Sequence, residues 1–540
     1  MKVCVIGLDC AAPELVFDRW RDRLPNLRRI MERGVYGPLE STVPPITVPA
    51  WICMMTGKDP GTLGIYGFRN RRDRSYEGLA FASSKLVREP ALWDVLAEHG
   101  KQSIVLGVPL TYPPRPISGL LVSDFLAPDT NSDYTYPSEL KEEIRQVVGE
   151  YLLDTREFRT EDKARLLADI YTMTERRFAL ARHLLTTKPW DFFIMVEMGP
   201  DRIHHAFWKY MDPKHRRYVA GNPFENAIRD YYIALDRQIG DLLDLLEPDT
   251  RVLVVSDHGA KRMDGGLCFN EWLIREGYLT LKQRPEGFAP FSPDMVDWSR
   301  TRAWGDGGYY GRLYLNVRGR EPQGVVAPEE VEALKAELIA KLEALEDDEG
   351  RPLGTKVFRP ERLYAAVRNI PPDLIVYFGD LHWRSVGSVG HPSIWTHEND
   401  IGPDDANHAQ LGLFLMVEAR DLKATSEPAS EAQEANRRDS RAMNDLSGDP
   451  ADNRPADGKA FPPVGTSDFH VDSMALEAHR REGLSLYDVA PTVLHAFGIT
   501  PPPGMGRAVI GTPTVAPSDS AYTEEEEAEL ARRLEDLGYL

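Results

Sequence analysis

Short apolar runs separated by helical stretches organise the first half of this 540-residue chain. Val3-Cys4-Val5-Ile6-Gly7-Leu8, Ser103-Ile104-Val105-Leu106, Leu120-Leu121-Val122-Ser123, Phe192-Phe193-Ile194-Met195-Val196 and Val252-Leu253-Val254-Val255 each read as a strand, and a long helical pattern runs from about Glu161 to Leu185. Strands joined by helices pair in parallel and are covered on both faces. The expected fold is therefore α/β, a three-layer αβα sandwich on a mainly parallel central sheet.

At this length one core is exceeded, so two domains or one large α/β domain with insertions is expected. The texture changes between 261 and 372, where the Gly- and Tyr-rich segment Trp304-Gly305-Asp306-Gly307-Gly308-Tyr309-Tyr310-Gly311 precedes an amphipathic helix near Glu329 to Leu345. This region reads as an inserted cap-like subdomain that selects substrate, since loops at strand ends carry that role. The core then spans 1–260 and 373–540, resuming at Asp373-Leu374-Ile375-Val376-Tyr377-Phe378. From 423 to 482 apolar residues thin out, so this stretch reads as a flexible insert, and His470 and His479 within it are set aside as ligands. A helical segment follows at Leu484 to Leu494, and a capping-box start at Thr523-Glu524-Glu525-Glu526 opens a terminal helix with Leu530, Leu534 and Leu537 on one face.

Composition narrows the function. Hydrophobic residues at 42% and charged residues at 27% are the balance of a folded globular chain. A net charge of −20 argues against general nucleic-acid binding, because phosphate backbones are repelled except over a local cationic or metal-bearing site. The four cysteines Cys4, Cys10, Cys53 and Cys268 form no CxxC pair and are expected to be reduced, with Cys10 a small buried filler beside Asp9. With no charged leader before a long apolar stretch and no membrane-length window, the expectation is a soluble, cytoplasmic protein without a membrane partner. Oligomeric state is not legible.

The chemistry-bearing residues sit at the ends of the strand-like runs. Asp9 follows the first run, Asp201 and His205 follow Phe192–Val196, Asp257 and His258 follow Val252–Val255, and His408 precedes Leu413-Phe414-Leu415-Met416. Parallel strands bring their carboxyl ends to one edge, where such residues can converge. Asp201 and His205 are four apart at a helix start and so share a face. Each acid or histidine alone reads as a cap, a turn or a packed side chain. Together, three carboxylates and three imidazoles without sulfur suit Zn²⁺ or Mn²⁺, and a mixed set of this kind fits a two-metal centre. Two metals about 3.5–4 Å apart clamp a transferring phosphoryl group, and that reaction needs a hydroxyl nucleophile. Thr47 is the candidate, at the point where Pro44-Pro45-Ile46 leads into an apolar helical run ending at Thr56-Gly57.

Asp9, Thr47-x-Pro49-Ala50-Trp51, Gly199-Pro200-Asp201-x-x-x-His205, Ser256-Asp257-His258-Gly259, Asn407-His408 and Tyr487-Asp488-Val489-Ala490-Pro491-Thr492 together resemble the alkaline phosphatase superfamily. Within it they are most similar to type I phosphodiesterase/nucleotide pyrophosphatases and the related phosphohydrolase/phosphomutase group. The resemblance implies one metal on Asp201, His205 and His408, a second on Asp9, Thr47, Asp257 and His258, and a phospho-threonine at Thr47 that water cleaves. It also implies a phosphorylated small-molecule or nucleotide-like substrate, and leaves His204 outside the ligand set. In nucleotide pyrophosphatases a downstream Asn helps hold the phosphate; Phe68 falls at that place here, with Asn70 two residues on. Asn70, Arg69, Arg312 and Arg320 complete the candidate substrate-binding set, the arginines through bidentate pairing.

The expected activity is hydrolysis of phosphate esters, most of all phosphodiesters or nucleotide pyrophosphates. A phosphomutase similar to cofactor-independent phosphoglycerate mutase is the alternative, with a second hydroxyl in place of water. A non-catalytic metal-dependent binding protein is a further one, although it has no need of Thr47. A sulfatase is discounted, because Thr47-Val48-Pro49-Ala50-Trp51 lacks both ends of the C/S-x-P-x-R sequence.

Overall fold

The computed structural model describes residues 1–399, 402–423, 479–502, 505 and 524–538. Its central sheet is built from β1 (Lys2–Leu8), β2 (Val35–Glu40), β3 (Ser103–Leu106), β4 (Gly119–Val122), β5 (Thr135–Tyr136), β6 (Phe192–Glu197), β7 (Thr250–Val255), β8 (Leu411–Glu418) and β9 (Leu484–Ser485). They lie in the order β9-β2-β8-β7-β1-β6-β3-β4-β5. Pairing is parallel except at β8, which runs against β2 and β7, and at β5, which runs against β4. Every residue of β6 is buried, as expected of a strand covered on both faces. The sandwich expected from the alternating runs is the fold observed.

Four helices matter for the site: α1 (Thr47–Thr56), α2 (Lys163–Thr187), α3 (Gly199–Met211) and α4 (Ala227–Leu245). All ten residues of α1 are buried, so it is a core helix rather than an amphipathic surface one, and Gly57 ends it at φ 63°, where a side chain is strained. The α3 helix packs against α4 through His204, whose ring stacks on Tyr232 with centroids 5.6 Å apart.

A second apolar core is drawn from residues between Leu267 and Trp383, while Tyr309, Tyr310 and Ile375 of the same stretch pack into the main one. A four-stranded antiparallel sheet orders Ala303–Asp306, Gly311–Leu315, Leu374–Tyr377 and Lys356–Phe358, and the helix Val331–Glu343 contributes Leu334, Leu338 and Leu342 to the second core. The run Leu374–Tyr377 therefore does not return to the central sheet as its sequence suggests. It pairs with Gly311–Leu315 and Lys356–Phe358, and the chain re-enters the central sheet only at Leu411. An apolar run buried on both faces suits either sheet, and nothing local in it names the partner.

Most of the stretch expected to be flexible, 424–478, lies outside the described residues, as do His470 and Thr523. Residues 479–482 do not behave as a loose insert: Tyr36 N–H donates to His479 O and Arg481 N–H to Tyr36 O, along the edge of β2. The terminal helix Glu524–Asp536 buries Leu530 and Leu534 in the main core, with Leu537 just beyond it. Among the described residues no helix is long and apolar enough to cross a membrane.

Candidate metal centre

The three adjacent parallel strands β7, β1 and β6 end at one edge, and each delivers its acid there. Asp9 N–H donates to Glu197 O at the end of β6, which fixes Asp9 beside the start of α3. Asp257 Oδ1 accepts from Cys10 N–H at 3.2 Å, tying the β7 turn to the β1 turn. One turn into α3, His205 Nε2 stands 3.3 Å from Asp201 Oδ1, as their spacing requires. His408 arrives by a route its sequence does not show. It lies on the strand Ala406–Ala409, which pairs antiparallel with Gly259–Arg262 immediately after His258 and sets Ala260 opposite His408. Its ring stacks on His258 at 3.9 Å.

Side-chain atoms of Asp9, Asp257 and His258 form one buried group within 4.8 Å of one another, and those of Asp201, His258 and His408 form a second. Asp257 Oδ2 is 3.2 Å and Asp9 Oδ1 3.8 Å from His258 Nε2, and His408 Nε2 is 3.7 Å from Asp201 Oδ1. Thr47, the first residue of α1, places its Oγ1 3.3 Å from His258 Nε2. The helix is entered from Ile46, which makes Thr47 its first helical residue and not its cap.

The outer atom of each of these side chains is held by the protein. Trp51 Nε1–H donates to Asp9 Oδ2 at 2.7 Å from one turn beyond Thr47 on α1. It reaches there by crossing Gly7, where a Cβ would stand 2.5 Å from the indole. Arg202, paired through Nε and Nη2 to Asp154, donates through Nη1 to Asp201 Oδ2. The Nδ1 atoms of His258, His408 and His205 face Gly259 O at 3.1 Å, Pro45 O at 2.8 Å and Asp404 Oδ1 at 2.8 Å. A carbonyl or carboxylate only accepts, so each Nδ1 carries a proton, and in the neutral form that binds a metal each ring presents its Nε2 lone pair inward. Asp9 Oδ1 and Asp257 Oδ2 are buried and carry no hydrogen bond among the described residues. Inward lone pairs and unbonded carboxylate oxygens, with outer atoms anchored, are what a divalent cation requires of its ligands.

The buried acids at this edge act on one another and on the histidines. Burial, then the Asp201 charge, pushes Asp9 well above the usual carboxylate range, and burial with Asp9 does the same to Asp257. Burial also works against Asp201, but His205 and Arg202 outweigh it and hold that carboxyl well below its ordinary value. Burial lowers His258 to about 4 and drives His408 well below its usual value. His205 resists the same burial, because Asp404 and Asp201 raise it to about 9.

Asp404, Trp51, Arg202 and Tyr309 are the supporting residues that sequence reasoning passed over. Tyr309 comes from the inserted region, stacks on His408 at 4.5 Å and His205 at 4.8 Å, and donates its hydroxyl to Asp404 Oδ2 at 3.0 Å. Trp51 alone left a trace, the four-residue spacing from Thr47; Asp404 sits in a loop without strand context. His204 turns away, its Nε2 at 3.1 Å from Tyr232 Oη.

The candidate substrate-binding residues have partners of their own. Asn70 closes its own turn, accepting from Tyr66 N–H at 2.7 Å and donating to Gly67 O at 2.9 Å. Arg312 pairs with Asp306 at 2.6 Å and donates to Arg69 O at 2.9 Å. Arg320 makes a two-pronged pair with Asp373, 2.7 Å on each arm. The Arg69 side chain lines a cavity walled by Arg71, Tyr76, Trp304 and Tyr314.

A mainly parallel sheet with helices on both faces is the fold of the alkaline phosphatase superfamily, to which the family matched by this chain belongs. Within it the chain belongs to the family described as Type I phosphodiesterase / nucleotide pyrophosphatase, whose profile matches residues 3–404. It is a metal-dependent hydrolase acting on phosphoric ester bonds. Among solved structures the fold is similar to phosphonoacetate hydrolase from Sinorhizobium meliloti 1021 in complex with phosphonoformate. That match has 16% identity and a TM-score of 0.51, covering 78% of this chain and 94% of that one. The same enzyme with phosphonoacetate gives a TM-score of 0.50 at 16% identity over the same shares, 78% and 94%. Human ectonucleotide pyrophosphatase / phosphodiesterase 5 is 14% identical, with a TM-score of 0.48 over 94% of this chain and 97% of its own. No curated protein matches the chain.

Proposed function

We propose that this protein is a two-metal phosphohydrolase that cleaves phosphodiesters or nucleotide-like pyrophosphates through a phospho-threonine at Thr47. In this reading Asp201, His205 and His408 hold one divalent ion, and Asp9, Thr47, Asp257 and His258 hold the other, with Zn²⁺ or Mn²⁺ as the metal. The observation that carries it is the Thr47 hydroxyl at the first position of α1, 3.3 Å from His258 Nε2 and beside buried carboxylates. The bound metals supply the positive charge that acidifies the hydroxyl and offsets the charge of the phosphate.

The chain's own residues do the rest. Thr47 Oγ attacks phosphorus as the bond to the leaving oxygen breaks, and the proton of the hydroxyl ends on solvent or the leaving group. The positive end of the α1 dipole favours the phosphate that then sits on Thr47. Water attacks the same phosphorus, the P–Oγ bond breaks and Thr47 is restored. Trp51, Arg202 and Asp404 hold Asp9, Asp201 and His205 in one orientation throughout. The inserted region, with Tyr309 over the imidazoles, acts as the cap that selects substrate. Four buried cysteines free of disulfides support a cytoplasmic setting.

Metal-loaded protein is assayed with bis-p-nitrophenyl phosphate and nucleotide esters, and phosphate on Thr47 is sought by mass spectrometry after acid quenching. Hydrolysis with a trapped phospho-threonine is expected. Full activity in Thr47→Ala would overturn the reading, and label passing between hydroxyls without phosphate release would turn it into a mutase.

A further inference from the structure

Cys10 follows Asp9 directly and has no part in the mechanism above, yet its setting is not that of a filler thiol. Its backbone lies in the left-handed region at φ 64°, which glycine adopts freely and cysteine does not. That conformation is held by the Cys10 N–H bond to Asp257 Oδ1 at 3.2 Å, so an acid of the centre itself fixes the direction of the thiol. The Sγ atom belongs to a third buried group, in which it, a carboxylate oxygen of Asp201 and a ring nitrogen of His205 all lie within 4.8 Å of one another. His205 is 1% exposed, and beyond its 3.3 Å approach to Asp201 Oδ1 its Nε2 has no hydrogen bond among the described residues. The thiol is also 3.4 Å from Gly259 O, a weak bond for a sulfur donor.

We propose that Cys10 is a sulfur ligand to the divalent ion held by Asp201 and His205, and that this makes the centre prefer zinc-like ions to manganese. The proposal rests on the two-metal reading above. A metal–sulfur bond of about 2.3 Å and a metal–nitrogen bond of about 2.0 Å at a tetrahedral angle place the two donors about 3.5 Å apart, so binding draws the group together by about an ångström at most. The bond forms with the sulfur lone pair while the thiol proton passes to solvent, and no oxidant or reductant is involved. Sulfur is a soft donor that suits zinc and cobalt, whereas manganese prefers oxygen. A glycine would serve the turn with less strain, so the sulfur and not the turn accounts for cysteine at this position.

The test is the absorption spectrum of the full-length protein loaded with cobalt(II). Ligand-field bands in the visible report binding, and a sulfur-to-cobalt charge-transfer band in the near ultraviolet reports the thiolate. The charge-transfer band is expected in the wild type and absent from both Cys10→Ser and Cys10→Gly, the second of which suits the left-handed backbone and guards against misfolding. In zinc-against-manganese competition, Cys10→Ser is expected to lose roughly tenfold of the preference for zinc. Ligand-field bands without charge transfer in the wild type, or a charge-transfer band that survives in both variants, would overturn the sulfur ligand and leave the metal centre standing. No cobalt bands at all would overturn both.

Discussion

At the scale of single residues, the site separates atoms that face inward from atoms that anchor. Thr47 faces inward, and Thr47→Ala is expected to lose at least about 1,000-fold in hydrolysis of bis-p-nitrophenyl phosphate, as removal of a nucleophile does elsewhere. Asp404 anchors: Asp404→Asn keeps a hydrogen-bonding group beside His205 Nδ1 but removes the charge, and metal titration is expected to show affinity lower by about 10- to 100-fold. The same pair sets a pH dependence in chelator-treated protein. His205 stands at about 9, above its unfolded value of about 6.5, so the stability it contributes is complete below pH 6.5 and disappears as pH rises through about 9. Urea unfolding of the metal-free protein should therefore weaken over that window, and Asp404→Asn should flatten the change. Asp9, Thr47, Asp201, Asp257 and His258 were legible because each follows a strand-like run or stands in the first turn of a helix, with His205 one turn on from Asp201. Asp404 was not, because a loop carboxylate gains its meaning only from the histidine folded onto it.

At the scale of elements, helix spacing explains why some neighbours act together and others apart. Asp201 and His205 lie one turn apart on α3 and face the centre, while His204, one residue earlier than His205, is rotated about 100° away onto Tyr232 and Trp208. His204→Ala is expected to lower stability by about 1–3 kcal/mol in urea unfolding while metal content stays unchanged. A matching loss of metal would show that the helix face had been misread. Thr47 and Trp51 repeat the logic on α1, the hydroxyl facing the reaction and the indole bracing Asp9. Strands were harder to place than helices. The run Leu374–Tyr377 has the composition of a central strand and belongs to the inserted sheet, because strand pairing is a long-range choice that apolar periodicity does not encode.

At the scale of the whole molecule, three distant parts of the chain close on the centre's outer layer. The single hydroxyl proton of Tyr309, from the inserted region, is shared between Asp404 Oδ2 and Leu537 O, 3.0 and 2.9 Å from its oxygen. Arg159 joins Asp404 to the terminal helix through Glu535 O at 2.9 Å. Removal of residues 524–540 should therefore loosen Asp404 and His205 together, with metal affinity falling roughly tenfold in titrations of the truncated protein. Unchanged affinity would show that the terminal helix only covers core.

The sequence by itself determined the alternating strands and helices, the parallel sheet they require, and the acids, histidines and threonine at the strand ends, because these follow from local periodicity and from how parallel strands gather their carboxyl ends. Only the tertiary structure decided how His408 joins them, through an antiparallel ladder beside His258, and which outer groups fix each ligand's direction. It alone also showed that the residue after Asp9 turns a sulfur toward Asp201 and His205. These are contacts between segments tens to hundreds of residues apart, set by packing across the whole sheet, and no local pattern in the chain carries them.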